Sequence, residues 1–441
     1  MIMFIHIDMY EHSFDLMDPR ISIEFSRSRW EVKLTAQTKW RLPLPNSHQL
    51  SASAGKLSFV GGVGDFGGSG QIRRPGDLEG QIEGAVSNLA YALAAESCSL
   101  DDVVRIKAHH TSNVDDWDIL AELARYFKSD PLPAISVMAE PMQPFSGQVI
   151  QLQVIAQRGW RKSSDIRIAH RPVPPAKADL FKGRSVTGGL RAGEFIVVAN
   201  RAAESADGEL QHPEKGVEQS HIIMSAHAET LTALGASFQD CVKLEGYYFG
   251  DNLDDWEPLA KARLGYFREP GPVATVVPAH RMNPAGAVTK VEVMAMRELR
   301  NGFDKYIPRE DHWPDRVWDW PIWAPYRQAI RLRDTIWLGG QVPWNPYGNE
   351  GIFVFPGERL PQARFVMGYI EDLLRPFGRT SADLKLMVCY FTSDGSEAEI
   401  AAFARTLAEC IGGALPPMTL VPKPKMHNDE TTVEIWGVAQ G

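Results

Sequence analysis

Three stretches of this chain open on a glutamine, at Gln81, Gln219 and Gln362, and stay in register with one another for about thirty residues without a gap. They read QIEGAVSNLAYALAAES, QSHIIMSAHAETLTALG and QARFVMGYIEDLLRPFG. Sixteen positions after each Gln comes Ser97, Gly235 or Gly378, glycine being the residue that most readily closes a helix in the left-handed conformation. Ser99, Ser237 and Thr380 follow, then Asp102, Asp240 and Asp383, and then the β-like runs VVRIKAHHTS, CVKLEGYYFG and LKLMVCYFTS. A repeat this close is one supersecondary unit used again. The chain is therefore constrained to fold as three related units.

The rest of each unit follows the same plan. A second helix-like stretch runs from Asn113 (NVDDWDILAELARYF) and from Asn252 (NLDDWEPLAKARLGYF), with a looser match from Ser396 (SEAEIAAFARTLAEC). Strand-like runs then end at Ala156, Ala295 and Ala439. Each unit reads as strands, helix, strand, helix and two strands, an α+β arrangement with its helices on one sheet face. Ile82, Val86, Leu89 and Leu93, and likewise Ala363, Met367, Ile370 and Leu374, recur at the helical interval that buries one stripe. His227 stands where Leu89 does and is expected to be a core residue. The expected division is an N-terminal extension over 1–45, then units over 46–165, 166–305 and 306–441, the last opening on a Trp-rich linker.

Composition narrows the partners. With 44% hydrophobic and 23% charged residues, the 441-residue chain has apolar material for several cores. A formal net charge of −9 gives no general attraction to phosphate backbones or anionic membranes. Neither nucleic acid nor membrane is an expected partner. Cys98, Cys241, Cys389 and Cys410 show no CxxC spacing, and Asp8, Glu11 and Asp15 interrupt the opening segment where a signal peptide needs an apolar run. A cytoplasmic location is the expectation.

The third unit carries a family pattern. APYRQAIRLRDTIWLGGQVPWNPYG, from Ala324 to Gly348, resembles the front of the Rid (YjgF-type) reactive-intermediate deaminases, with their GPY, first hairpin and SGQ-P-NP turn. Unit one is similar from Gly55 to Ala156, including Pro133 and Ala134, whereas unit two diverges at its front, where VVANRAAES replaces the Gly-Gln strand. The resemblance covers about 46–160, 180–296 and 320–441. Family members are homotrimers whose sheets surround a central barrel, with active sites in the clefts between subunits. The resemblance thus implies three tandem Rid/chorismate-mutase-like domains forming an intramolecular pseudo-trimer around a central β-barrel. It also implies no cofactor, a small-molecule substrate, and a monomer or low-order homo-oligomer. Fusion into one chain lifts the symmetry constraint, so the three clefts can differ.

In the family an Arg of the PAR motif clamps a substrate carboxylate, while a Glu of the last strand and backbone groups near SGQ position water. The aligned Arg positions here hold Ile135, Ala274 and Met418, and the aligned Glu positions hold Gln151, Lys290 and Glu434. The candidates that follow from the resemblance are Glu434 and Tyr326 as catalytic groups, with Gly339, Gly340 and Gln341 binding substrate. Packing of Tyr326 and pairing of Glu434 with a neighbouring cation are the structural alternatives. Replacement cations are Arg105 and Lys107, which share one strand face with His109 under a period of two, and Arg281 beside His280 in the bend before the last strand of unit two. The matching face of unit two holds Lys243, Glu245 and Tyr247, and that of unit three Leu386, Val388 and Tyr390, so structural pairing of Arg105 and Lys107 is the competing expectation. His109 and His110 point to opposite faces and do not make a metal site. GGVGDFGGSG, from Gly61 to Gly70, lacks the Lys and Ser or Thr of a phosphate loop. WPDRVWDWPIW, from Trp313 to Trp323, supplies four tryptophans, suited to stacking a planar ligand or to packing a linker.

Three functions compete. The first is a cofactor-independent hydrolase or deaminase acting on a small imine, enamine or related unsaturated metabolite in an inter-domain cleft, with simple 2-imino acids disfavoured by the missing Arg. The second is a cleft hydrolase for a larger cyclic or aromatic compound. The third is a non-catalytic small-ligand-binding protein on the same scaffold.

Overall fold

The computed structural model describes residues 39–313, 321–345 and 353–441. Most of the N-terminal extension, the middle of the Trp-rich stretch and the end of the NPYG turn lie outside them. The first sheet contains β1 (Ser51–Ala54), β2 (Leu57–Val63), β3 (Val103–His110), β4 (Ala134–Ala139) and β5 (Ile150–Gln157), with α1 (Leu78–Ala95) and α2 (Asp116–Ala124). The second contains β6 (Ile166–Arg171), β7 (Val186–Ala192), β8 (Phe195–Arg201), β9 (Cys241–Phe249), β10 (Val273–Ala279), β11 (Thr289–Arg300) and β12 (Phe303–Tyr306), with α3 (Gly216–Ala233) and α4 (Leu253–Leu264). The third contains β13 (Arg309–His312), β14 (Ala329–Leu332), β15 (Thr335–Leu338), β16 (Leu384–Thr392), β17 (Met418–Lys423) and β18 (Val433–Gln440), with α5 (Arg359–Leu374) and α6 (Glu397–Ile411).

The three sheets share one strand order: β1-β2-β5-β3-β4, β7-β8-β11-β9-β10 within the second, and β14-β15-β18-β16-β17 within the third. Register repeats as well. In the parallel pairs Lys107 faces Ser136, Glu245 faces Thr275 and Val388 faces Thr419. In the antiparallel pairs Gln151 faces His109, Lys290 faces Tyr247 and Glu434 faces Tyr390.

The repeated glutamine has the same task each time. The Gln81 amide donates to Gly147 O (2.7 Å) and its oxygen accepts from Val149 N (2.8 Å). Gln219 does this with Gly286 O (2.9 Å) and Val288 N (2.9 Å), and Gln362 with Glu430 O (2.7 Å) and Thr432 N (2.8 Å). A buried side-chain amide thus satisfies backbone groups in the bend before each last strand, groups that no ladder reaches. The Ser/Thr-to-Asp spacing closes the turn before each middle strand: Asp102, Asp240 and Asp383 accept from the backbone N–H of Ser99, Ser237 and Thr380 at 2.8, 2.8 and 2.9 Å.

Among the described residues the ladders form three sheets and no closed barrel, which corrects the expectation of one. The physical reason lies at the junctions. β2 breaks register between Val60 and Val63, around Gly61 and Gly62, and β11 breaks register against β8 between Val291 and Val293. Such breaks turn the backbone away before a continuous ladder forms. Scattered bonds span the junctions instead, among them Gly62 N to Thr419 Oγ1 (3.1 Å), Val137 N to Asn200 Oδ1 (3.1 Å) and Gly340 N to Ala274 O (2.8 Å), with Val273 bridged to Arg327.

The faces turned away from the helices meet in an interior built from all three sheets, with Phe59, Ile155, Val197, Met294, Trp337 and Trp436 in one apolar cluster. Arg105, Lys107, Glu245 and Glu292 are buried there as a neutral group. Arg105 grips Glu292 through Nε (2.6 Å) and Nη2 (2.9 Å) and reaches Glu245 at 2.7 Å, while Lys107 lies 2.7 Å from each carboxylate. His227 lies under α3, bonded through Nε2 to Val291 O (2.8 Å), as expected of a core residue.

Glu292→Leu leaves the two cations under-compensated in a dry interior and is expected to cost about 3–5 kcal/mol in denaturant unfolding. Burial pushes His227 down from 6.5 to about 4. The unfolded chain therefore takes up this proton first, and the stability present at neutral pH is expected to fall as pH drops from 6.5 towards 4. His227→Leu, the residue unit one uses at Leu89, should flatten that part of the stability profile.

Candidate active site

The three junctions between units are each furnished differently. Between units one and two, Lys290 occupies the aligned Glu position and pairs with Asp116. Burial opposes the charge on Asp116, yet Lys290 and His110 more than offset it and hold the carboxyl at about 2. Between units three and one, Gln151 donates to Leu420 O (2.8 Å), and a Cβ on Gly61 would meet the Met418 backbone at 2.5 Å, so backbone packing fills the space.

A cavity at the unit one–unit two junction, about 310 Å³ with open solvent included, is lined by Asp116, Lys290, Arg171 and Arg201; the junction of units two and three is more apolar. A solvent-open cleft of about 430 Å³, open solvent included, has Leu253 and Trp256 of α4 and Val276 of β10 on one side, and Val342, Trp344 and Phe353 on the other. Its polar lining is His427 and Glu434. A mostly apolar pocket with a few convergent polar groups is the usual form of a small-molecule site.

Glu434 Oε2 lies 2.6 Å from His427 Nε2, and His427 Nδ1 lies 3.1 Å from the Tyr248 hydroxyl, whose ring stacks on the imidazole with centroids 6.1 Å apart. Burial, reinforced by the nearby Glu434 charge, pushes the Tyr248 phenol well above its ordinary range. It therefore stays a donor. The tautomer with its proton on Nε2 satisfies both bonds, accepting from Tyr248 at Nδ1 and donating to Glu434. The result is a chain from unit two to unit three that ends on a carboxylate at the cavity wall. Behind it, Lys243 donates to Thr275 Oγ1 (2.5 Å) and Leu338 O (3.2 Å) and lies 4.1 Å from the Trp436 ring centre. Burial lowers this ammonium to about 7 against the attraction of Glu245 and Glu434.

No family model matches the chain. A RutC family protein of Sulfurisphaera tokodaii is 30% identical over 63 residues, which is 14% of this chain and 48% of that protein, so the match spans about half the relative's length. Among solved structures, a Rid-family protein of unknown function from Yersinia pestis is 21% identical, covered over its whole length by 30% of this chain, with a TM-score of 0.26. E. coli TdcF with bound serine gives 20% identity, 30% of this chain, 98% of that one and a TM-score of 0.26. A chorismatase gives 14% identity over 77% of this chain and 93% of that one, with a TM-score of 0.46. The chain is similar to a RutC family protein over those 63 residues.

The Rid-like candidates of unit three lie on adjoining strands. Gly340 donates its N–H to Ala274 O (2.8 Å), and a Cβ there would lie 2.0 Å from Glu434 Oε1. Gln341 pairs with Ile435 through N–H (2.8 Å) and its amide donates to Gln328 Oε1 (2.8 Å), while Gly339 N donates to Gln328 O (2.9 Å). Tyr326 is buried edge-on to Phe267 (5.7 Å), and burial raises its hydroxyl to about 12. Arg105 and Lys107 are spent on Glu245 and Glu292 in the interior and line neither cavity described here. Arg281 holds carbonyls of unit one, Thr111 O (2.7 Å) and Ser112 O (2.6 Å), and His280 bonds Lys425 O (2.8 Å). His109 and His110 turn to different partners, Glu140 (2.9 Å) and Ser112 (2.8 Å). Of the Trp-rich stretch, Trp323 is exposed and Trp318 and Trp320 lie outside the described residues.

Sequence reasoning missed His427 and Tyr248. The available signal was a histidine seven residues before Glu434, across the bend that each repeated Gln secures. Gly340→Ala is expected to push Glu434 off His427, with about 1–3 kcal/mol lost in unfolding measurements and a changed imidazole tautomer signal by nitrogen NMR.

Proposed function

We propose that the chain is an intramolecular pseudo-trimer of units 46–165, 166–305 and 306–441, and that its unit two–unit three cleft is a Rid-type, cofactor-independent hydrolytic site for a small imine, enamine or related unsaturated metabolite. The common strand order, the common register and hydrogen bonds across each junction support the assembly. The observation that carries the reaction is the hydrogen-bonded Tyr248–His427–Glu434 chain ending in an apolar cavity.

In this reading Glu434 takes a proton from water as the water oxygen bonds to the imine carbon. The C=N electron pair passes to nitrogen, which takes up a proton, and collapse of the carbinolamine releases ammonia and leaves a carbonyl. His427 holds the carboxylate by its Nε2–H, and Tyr248 fixes the imidazole tautomer. Gly340 leaves room for Glu434 Oε1 where any side chain would displace it. The aromatic walls Trp256, Trp344 and Phe353 favour, as a second reading, a larger cyclic or aromatic substrate for the same acid–base pair.

The test is ammonia release from freshly generated imines and enamines of increasing size. Glu434→Gln is expected to lower turnover roughly 10²–10⁴-fold, the usual worth of a positioned acid–base group, and His427→Asn to lower it less. Release that matches the wild type in Glu434→Gln would remove the basis of the reading.

A further inference from the structure

Arg263, in the last turn of α4, is 1% exposed. Its guanidinium has a long bond from Nη1 to Thr289 Oγ1 (3.4 Å), while Nε and Nη2 find no hydrogen-bond partner among the described residues. Burial disfavours its charge, and among the described residues no carboxylate offsets it; the Tyr326 hydroxyl is the group beside it. A buried cation left in this state is costly, and native proteins supply it with a counter-group.

The two open donors are not an arbitrary pair. Nε–H and one Nη2–H share an edge of the planar fork and point the same way, the geometry that receives both oxygens of a carboxylate. This protein already uses that edge so: Arg105 gives Nε and Nη2 to the two oxygens of Glu292 at 2.6 and 2.9 Å. On Arg263 the same edge is empty. Its position matters too. Trp256 of α4 lines the cleft cavity, and Arg263 is seven residues on, two turns along the same helix face, about 10 Å at 1.5 Å per residue. Counting from the shared tryptophan, unit one has the buried Ala124 at this place. The cation is therefore particular to the unit whose second helix walls the cleft containing Glu434.

We infer that the Nε/Nη2 edge of Arg263 seats a ligand carboxylate at the inner end of the unit two–unit three cleft, so that the substrate carries a carboxylate removed from its reacting carbon. This rests on that cleft being the site proposed above. It supplies from α4 a clamp that Ala274 on β10 does not, and because Arg263 is covered, a ligand reaches it by parting the side chains over it.

Benzoate and its neutral isostere benzamide are the probes, read by thermal shift and calorimetry on the full chain. Benzoate is expected to raise the melting temperature of the wild type and benzamide to leave it unchanged. Arg263→Met, which removes an uncompensated buried charge, should melt no lower than the wild type and bind benzoate at least about tenfold more weakly, tenfold being the scale of one lost charge-assisted bond. Arg263→Lys keeps the charge without the two-donor edge and should show the same weakening, which keeps the comparison if the Met variant does not fold. The inference is overturned if benzoate does not bind, if benzamide binds as well, or if both variants bind benzoate like the wild type. Carboxylate binding that depends on Arg263 without ammonia release would uphold the inference and sink the proposed reaction. Turnover that depends on Glu434 but is indifferent to Arg263 would do the reverse.

Discussion

Arg105 and Lys107 leave the first sheet and meet Glu245 and Glu292 of the second where water does not reach. Two positive and two negative groups cancel, but only while each keeps its partner at hydrogen-bond distance, since charges in a dry interior tolerate little displacement. The group therefore acts as a gauge on the spacing of the two sheets. Lys107 also bonds the Tyr247 hydroxyl (2.9 Å), which lies 3.1 Å from that of Tyr390, so the third sheet is referred to the same point. With the sheets so placed, β10 brings Ala274 against Gly340 and the unit two–unit three junction acquires its shape.

Much of the fold was legible because it rests on local patterning. The Ser/Thr-to-Asp spacing closes a turn, the helical stripes pack on a sheet, and the period of two sends Lys107, Glu245 and Tyr247 to one face. The anchoring glutamine was visible as a coincidence, and its reason was not, since its bonds reach a bend 66 to 70 residues further on. The site was harder for the same cause. Tyr248 meets His427 across 179 residues. The period that correctly turned Tyr247 inward left Tyr248 facing the helices, with no visible task. Arg263 sits on a helix face where the pattern asks for an apolar residue, and only its Nε and Nη2, without a hydrogen-bond partner among the described residues, distinguish it. Sequence position offered Arg281 as a clamp because no pattern shows that its donors are used on Thr111 and Ser112.

The three junctions show how one scaffold is put to different ends once its copies share a chain. At corresponding positions of the last strand stand an amide held by a carbonyl, an ammonium neutralised by Asp116, and a carboxylate held by an imidazole. The first two are held by the protein's own groups, the ammonium at the wall of a second cavity. In the third, one carboxylate oxygen is held by His427 while the cavity stays open beside it. A symmetric trimer must repeat each such choice at every interface, whereas here the three junctions differ.

The glutamine bonds and the charge cluster also differ in when they can form. Each Gln ties a helix to a bend of its own unit, so each unit can close as soon as its last strand has been made. Arg105 must wait for Glu292, 187 residues later. A chain growing from its N-terminus folds its early units first, so unit one stands for a time with two cations on a face meant for burial. During synthesis that face is water-facing and charged, which opposes premature docking onto another apolar surface, and it becomes an interior only when the second unit arrives with the matching carboxylates.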